Sequence, residues 1–191
     1  VLDSALEQEW PFLDVVMFSH TCDTMQNVAD LWRAHAPHTQ ALIASVPTRT
    51  DGDAPLRYYK AELERLKKKL EEKAGVITDE KLMASLQLFS NHRNAMQELY
   101  RLRIQKPGLL SGTQMMNISV SAFLMDRAEH LALVRRVIDA LNATEETGDI
   151  TLPRIFVAGG MCRHVGFISL MEAAGCVVVG DDLCVGSRSC P

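Results

Sequence analysis

The feature that most constrains the fold lies near the start of the chain, where two apolar runs are joined through a helix-patterned stretch by short connections. Leu13-Asp14-Val15-Val16-Met17-Phe18 is a β-branched and aromatic run with little alternation, the pattern of a strand buried on both faces. A helix is predicted from about Asp23 to His35, with Asp23 as its N-cap, Gln26 at the capping-box spacing and Val28, Leu31 and Trp32 on its apolar face. Ala41-Leu42-Ile43-Ala44-Ser45-Val46 then reads as a second strand that Pro47 stops. Strand, helix and strand with short links make the unit of a parallel sheet. A second such unit follows Pro153: strand Ile155-Phe156-Val157-Ala158, a Gly159-Gly160 turn, a helix from Val165 to Ala174 stopped by Gly175, and strand Cys176-Val177-Val178-Val179, which turns at Gly180-Asp181-Asp182-Leu183-Cys184.

Between the two units the pattern becomes helical. Residues 48–55 are turn formers. From Tyr58 to Lys73, Leu63, Leu66 and Leu70 recur at helix spacing among lysines and glutamates, and Glu64 with Lys68 is a favourable i,i+4 pair, so the charge run reads as a solvated helix face. Gly75 ends this helix, and Thr78 is predicted to cap another that runs to Lys106-Pro107-Gly108. A single further helix is expected from about Thr113 to Leu141. The expected architecture is therefore α/β: residues 1–50 belong to a first parallel-sheet region, 51–145 are helical, and 146–191 belong to a second parallel-sheet region.

Charge and composition remove several function classes. The 191 residues carry 20 Lys+Arg against 24 Asp+Glu, a net of -4, which is not the basic excess of a nucleic-acid binder. With 47% hydrophobic and 23% charged residues the chain is neither disordered nor collagen-like, and a chain this long buries roughly 70% of its unfolded surface without disulfide staples. No apolar run approaches the roughly 20 residues that cross a bilayer. The start, Val1-Leu2-Asp3-Ser4, is neither an initiator methionine nor a signal peptide, and reads as the start of a piece of a longer polypeptide. A cytoplasmic location is expected, with the five cysteines as reduced thiols or metal ligands.

Two of those cysteines follow the carboxyl end of a strand, where ligands bind in open parallel sheets. Cys22 lies between the first strand and its helix, near a helix N-terminus that favours a thiolate; Cys184 follows the last strand. Thiols so placed suit an iron–sulfur cluster or a zinc ion, but spacing alone favours two ordinary half-buried cysteines, since no C-x-x-C pair is present.

The surrounding motifs are more specific. Phe18-Ser19-His20-Thr21-Cys22-Asp23-Thr24-Met25-Gln26-Asn27, followed by Asp30-Leu31-Trp32, resembles a signature of the 2-hydroxyacyl-CoA dehydratase and benzoyl-CoA reductase family, which includes the 2-hydroxyglutaryl-CoA dehydratase D-component type. Gly180-Asp181-Asp182-Leu183-Cys184-Val185-Gly186-Ser187-Arg188 is similar to the family's C-terminal signature. Between them, Ser90-Asn91-His92-Arg93 through Arg101, and Pro107 to Gly112, are similar to its helical insertion and the loop that follows. The resemblance covers nearly the whole chain in the expected order and does not fix the substrate.

The resemblance implies two flavodoxin-like lobes with a helical insertion and a [4Fe–4S] cluster held by three cysteines. Cys22 and Cys184 match the second and third ligands. The counterpart of the first lies upstream in the family, and none of residues 1–21 is cysteine, so either an N-terminal part is missing or this member departs from the usual site. Cys162 also follows a strand and is a candidate substitute ligand or a packing residue; Cys176 reads as an inert core thiol.

The implied activity is one-electron reduction of an acyl-CoA thioester, leading in a dehydratase to radical loss of water from a 2-hydroxyacyl-CoA. The alternatives are a benzoyl-CoA reductase that reduces an aromatic ring and a non-catalytic electron relay or scaffold. His20 is the candidate catalytic residue, donating to a thioester oxygen or a cluster sulfur, or else a structural histidine. Asn91 and Arg93 meet the acyl-CoA or belong to a solvated helix face. Asp181 and Asp182 are expected to cap the turn that carries Cys184, with Arg188 paired to one of them. The chain has no phosphate-binding G-x-x-x-x-G-K-[ST] loop, so the implied partners are an ATP-dependent iron–sulfur activator protein and a homologous second subunit.

Overall fold

The computed structural model describes residues 7, 12–36, 38–145, 151–160 and 164–190. Among these residues the chain is mixed α/β, with six α-helices and two parallel sheets of two strands each. It divides into two compact units, Val1–Asp79 and Glu80–Pro191.

In the first unit, β1 (Val15–His20) and β2 (Gln40–Ser45) run parallel in unbroken register from Val15 beside Gln40 to His20 beside Ser45. The crossover is α1 (Asp23–His35). Phe18, Ala29, Trp32 and Ala36 are buried together, with Phe18 and Trp32 packed edge to face at 5.7 Å between ring centroids. The strand extends two residues beyond the apolar run, because Ser19 and His20 still pair with Ala44 and Ser45.

The cap of α1 also differs from expectation. Cys22, in an extended conformation, is the N-cap, and its carbonyl accepts the Gln26 amide at 3.2 Å; Asp23 is the first helical residue, where its charge faces the positive end of the helix. α2 (Asp53–Ala74) follows and packs on β2; its one buried side chain is Leu66. Its charge run is a solvated face, as expected, although Glu64 lies 3.9 Å from Lys60. The outward-facing backbone of β2 meets side chains of this helix: Glu62 accepts the Ser45 amide at 3.0 Å, and Arg65, bonded to Glu62, donates to the Ile43 carbonyl.

The second unit is built on α3 (Asp79–Gln105) and α5 (Arg127–Ala143), whose Ala95, Met96, Leu99, Leu102, Leu131, Val134 and Ile138 form one core with Leu110, Met115 and Cys190. The stretch expected to be one helix is two. α4 (Gly112–Ser121) is separated from α5 by residues 122–126, and Asp126 caps α5 by accepting the Ala128 and Glu129 amides at 2.8 and 3.2 Å.

β3 (Arg154–Ala158), α6 (Val165–Ala173) and β4 (Val177–Asp182) form the second parallel unit, with a register shift between Ile155 and Phe156 that leaves Val179 unopposed. The strand passes through Gly180-Asp181-Asp182, residues expected to turn. Phe156 packs so close to Gly180 that an added Cβ would lie 2.9 Å from its ring. The N-terminus of α4 rests on this layer. Gly112 lies against Val178, where a Cβ would approach to 2.6 Å, and Glu172 of α6 accepts the Gly112 and Thr113 amides and the Thr113 hydroxyl.

Candidate functional site

Cys22 and Cys184 belong to different units, and each stands just beyond the carboxyl end of a parallel strand. Both are exposed free thiols. The way each is held differs.

Around Cys22 few side chains constrain the turn. The residue caps α1 with its backbone alone, since no helix amide bonds to its sulfur, and the neighbouring Ser19 and Thr21 hydroxyls meet at 3.2 Å in solvent. His20, the last residue of β1, is exposed. It borders a cleft of about 490 Å3 between α1, α2 and the sheet, together with Gln26, Arg33 and Glu62. The Arg65 guanidinium on Glu62 holds that carboxyl down at about 2. The cleft lining thus includes both the Glu62–Arg65 ion pair and His20, polar groups able to orient a polar ligand.

Cys184 sits in a turn that is tied on every side. Asp181 is buried and accepts the Ser187 amide at 2.8 Å, while the Ser187 hydroxyl donates to the Asp181 carbonyl at 2.7 Å. Gly186 passes so close to this carboxylate that a Cβ there would lie 1.9 Å from Asp181 Oδ1. Leu183 and Val185, on either side of Cys184, point into a cluster with Met116, Ile168 and Val178. Alternation of buried and exposed residues therefore directs the thiol outward.

The other Asp181 oxygen accepts the Tyr100 hydroxyl at 3.2 Å and lies 3.7 Å from the Arg103 guanidinium, which also donates to the Val178 carbonyl. Burial pushes the Tyr100 phenol up and the Arg103 guanidinium down from their usual values. On the solvent side Arg188 makes two bonds of 2.6 Å to Asp182 and places Nη1 3.8 Å from Cys184 Sγ. The paired charges hold Asp182 below and Arg188 above their ordinary ranges. The sequence predicts both aspartates as caps of the turn, with Arg188 paired to either; in the structure Asp181 alone bonds Ser187 in the turn, and Asp182 pairs with Arg188.

Other sequence candidates fall in distinct places. Asn91 accepts a bond from Gln87 at 2.9 Å on the face of α3, and Arg93 is exposed. Cys176 is half-buried before β4, and Cys190 is buried in the α3–α5 core. Cys162 lies outside the described residues. A buried histidine pair escaped the sequence reading: His92 Nε2 and His130 Nδ1 meet at 2.8 Å, and His130 Nε2 is within 2.9 Å of the Ile118 carbonyl. Burial, reinforced by Arg127 and then by His130, pushes His92 down to about 4.

Two accessible thiols are suitable single ligands for an iron–sulfur cluster, and the donor chemistry fits. They do not make a full ligand set: among the described residues no group of three or more His, Cys, Asp or Glu side chains is gathered to hold a metal.

A sequence model of the family described as 2-hydroxyglutaryl-CoA dehydratase, D-component, matches residues 1–191. The chain belongs to this family. Among curated relatives it is 25% identical over 188 residues to the (R)-phenyllactyl-CoA dehydratase beta subunit of Clostridium sporogenes, covering 98% of this chain and 50% of that one. It is 25% identical over 190 residues to a benzoyl-CoA reductase subunit of Thauera aromatica, covering 98% of this chain and 49% of that protein. It is 23% identical over 189 residues to the beta subunit of lactoyl-CoA dehydratase of Anaerotignum propionicum, covering 98% and 50%. The chain thus spans about half the length of these relatives. Among the described residues no helix is long and apolar enough to cross a membrane.

Proposed function

We propose that this chain is part of the iron–sulfur subunit of a cytoplasmic 2-hydroxyacyl-CoA dehydratase, with Cys22 and Cys184 as thiolate ligands of a [4Fe–4S] cluster and Cys162 as the further candidate ligand within the chain. The observation that carries the reading is the pair of exposed thiols at the carboxyl ends of parallel strands, in a chain matched along its whole length by the D-component family. In this reading the two small sheets are parts of two flavodoxin-like lobes, to which residues 1–50 and 146–191 contribute, with the helices of 51–145 between them in sequence. Bound there, the cluster supplies a low-potential electron to the thioester of an acyl-CoA.

The chain's own residues bind and orient. His20, at the rim of the cleft and two residues from Cys22, donates a hydrogen bond to the thioester oxygen. The Asp181–Ser187 turn fixes the direction of the Cys184 sulfur. A homologous second subunit and an ATP-dependent iron–sulfur activator are the partners.

A benzoyl-CoA reductase-type activity is the second reading, favoured by the equal identity to the Thauera aromatica relative. The full polypeptide, purified without oxygen, is expected to contain about four irons with matching sulfide. Cys22→Ser and Cys184→Ser should each lose them, and Cys176→Ser should keep them. Colourless protein without iron after reconstitution, or equal iron in all three variants, overturns the ligand assignment. Turnover of 2-hydroxyacyl-CoA against benzoyl-CoA, with activator and ATP, separates the two activities, and turnover of neither leaves a relay or scaffold.

A further inference from the structure

We propose that Arg188 is a positioning residue that sets the reduction potential at the Cys184 sulfur, an inference that rests on the ligand role proposed for that cysteine. Arg188 has 45% of its side-chain surface exposed, and a surface arginine ordinarily samples many rotamers. Here it does not hang free. Nε and Nη2 are both committed to Asp182, each at 2.6 Å, in the planar two-point pairing that suits a guanidinium and a carboxylate.

That pairing leaves Nη1 as the unshared nitrogen and aims it at Cys184 Sγ, 3.8 Å away. The acceptor is fixed as firmly as the donor. Leu183 and Val185 anchor the residues on both sides of the cysteine, and Asp181 ties down Ser187, next to Arg188. The sulfur thus meets an oriented cationic donor, whose Nε and Nη2 edge faces Asp182 and whose Nη1 faces Sγ. Among the described residues no comparable cation is bonded to Cys22, beside which the side-chain contact is that of Ser19 with Thr21.

The consequence is directional. Reduction adds negative charge to a cluster and its sulfur ligands. A hydrogen-bond donor with positive charge beside one ligand sulfur stabilises the reduced form more than the oxidised form and raises the potential. Removing it should lower the potential without removing a ligand. A lysine cannot pair with Asp182 at two points and still present a third nitrogen to the sulfur, so it should keep the charge and lose the aim.

The test uses the anaerobically purified full polypeptide with its partner subunit. Iron content, the EPR spectrum of the reduced state and the midpoint potential are measured for the natural protein, Arg188→Gln and Arg188→Lys. Expected are unchanged iron, a midpoint shifted to more negative values in Arg188→Gln, and an intermediate shift in Arg188→Lys. Equal potentials with full iron in all three proteins overturn the inference and leave the ligand assignment standing. Loss of iron from both variants shows that Arg188 merely holds the turn and also overturns it. If only Arg188→Gln loses iron, Arg188→Lys decides: a potential below that of the natural protein supports the role, and an unchanged one ends it. Natural protein without iron removes the ligand reading itself.

Discussion

The two candidate cysteines occupy the same kind of place and are held by opposite means. Cys22 rests on backbone alone, as the N-cap of α1, with exposed neighbours and no side-chain bond to the helix. Cys184 rests on a buried carboxylate, a close-packed glycine, two apolar anchors and an arginine clamp. A parallel sheet supplies the location at its strand ends without cost, but it does not supply rigidity. In the second unit, buried polar groups supply it, and these are costly to disturb. In the first unit, among the described residues, the turn is held by the backbone cap of α1 and the Ser19–Thr21 contact.

The largest way to break this contrast is Asp181→Asn. It takes from the buried Arg103 the carboxylate 3.7 Å away, and a loss of about 3 kcal/mol is expected in denaturant unfolding of the second unit. The equivalent disturbance of the first turn, Thr21→Ala, should change stability by less than about 0.5 kcal/mol. Similar losses from both would show that the two turns are held alike. Gly186→Ala comes next, at about 2 kcal/mol, because its methyl group must displace Asp181 Oδ1. Faster alkylation of Cys184 by iodoacetamide should accompany it, as the turn opens.

Acidification should separate the units by pH. His92 is held neutral in the fold down to about 4, against 6.5 for an ordinary histidine, so the unfolded chain binds the proton first and the second unit loses stability as pH falls from about 6.5 to 4. Glu62 has the depressed value of a paired carboxylate. Its contribution is complete above about 4.5 and fades as pH falls toward 2, in the first unit. Hydrogen exchange followed against pH should show the second unit opening at the higher pH. His92→Gln should flatten the upper window and Glu62→Gln the lower. Opening of both units in one window would mean that they unfold as a single body.

A small effect of the opposite sign is expected at the cap itself. In metal-free protein, Cys22→Ser gives α1 a side-chain oxygen to accept its free amides, and a gain of about 0.5 kcal/mol is expected from thermal unfolding. No gain, or a loss, would mean that the sulfur already does this work.

What was legible in the sequence follows from how local each signal is. The β1–α1–β2 unit could be read because an apolar run, a helical stripe and Pro47 lie within one short stretch. The family signatures could be read for the same reason, since Asp181, Gly186 and Arg188 all act within a single turn. The α4–α5 break was hidden because Phe123, Leu124 and Met125 continue an apolar pattern while lying exposed, and the Asp126 cap with Glu129 three residues on was the signal passed over. The end of β4 was misplaced because Gly180 and the two aspartates are turn formers by composition. In the fold the glycine makes room for Phe156, and Asp181 faces a buried arginine. The His92–His130 pair joins residues 38 apart, and nothing near either one announces the other.

The contact of Glu62 and Arg65 with Ser45 and Ile43 also sets a direction of growth. Strands recruit strands through unfilled backbone donors and acceptors, and on the outer side of β2 two of these groups, the Ser45 amide and the Ile43 carbonyl, are already engaged by α2. A strand added beside β2 has to displace these two contacts, whereas one added beside β1 does not, so the contacts bias growth of the sheet toward β1 and hinder edge-to-edge stacking at the β2 flank.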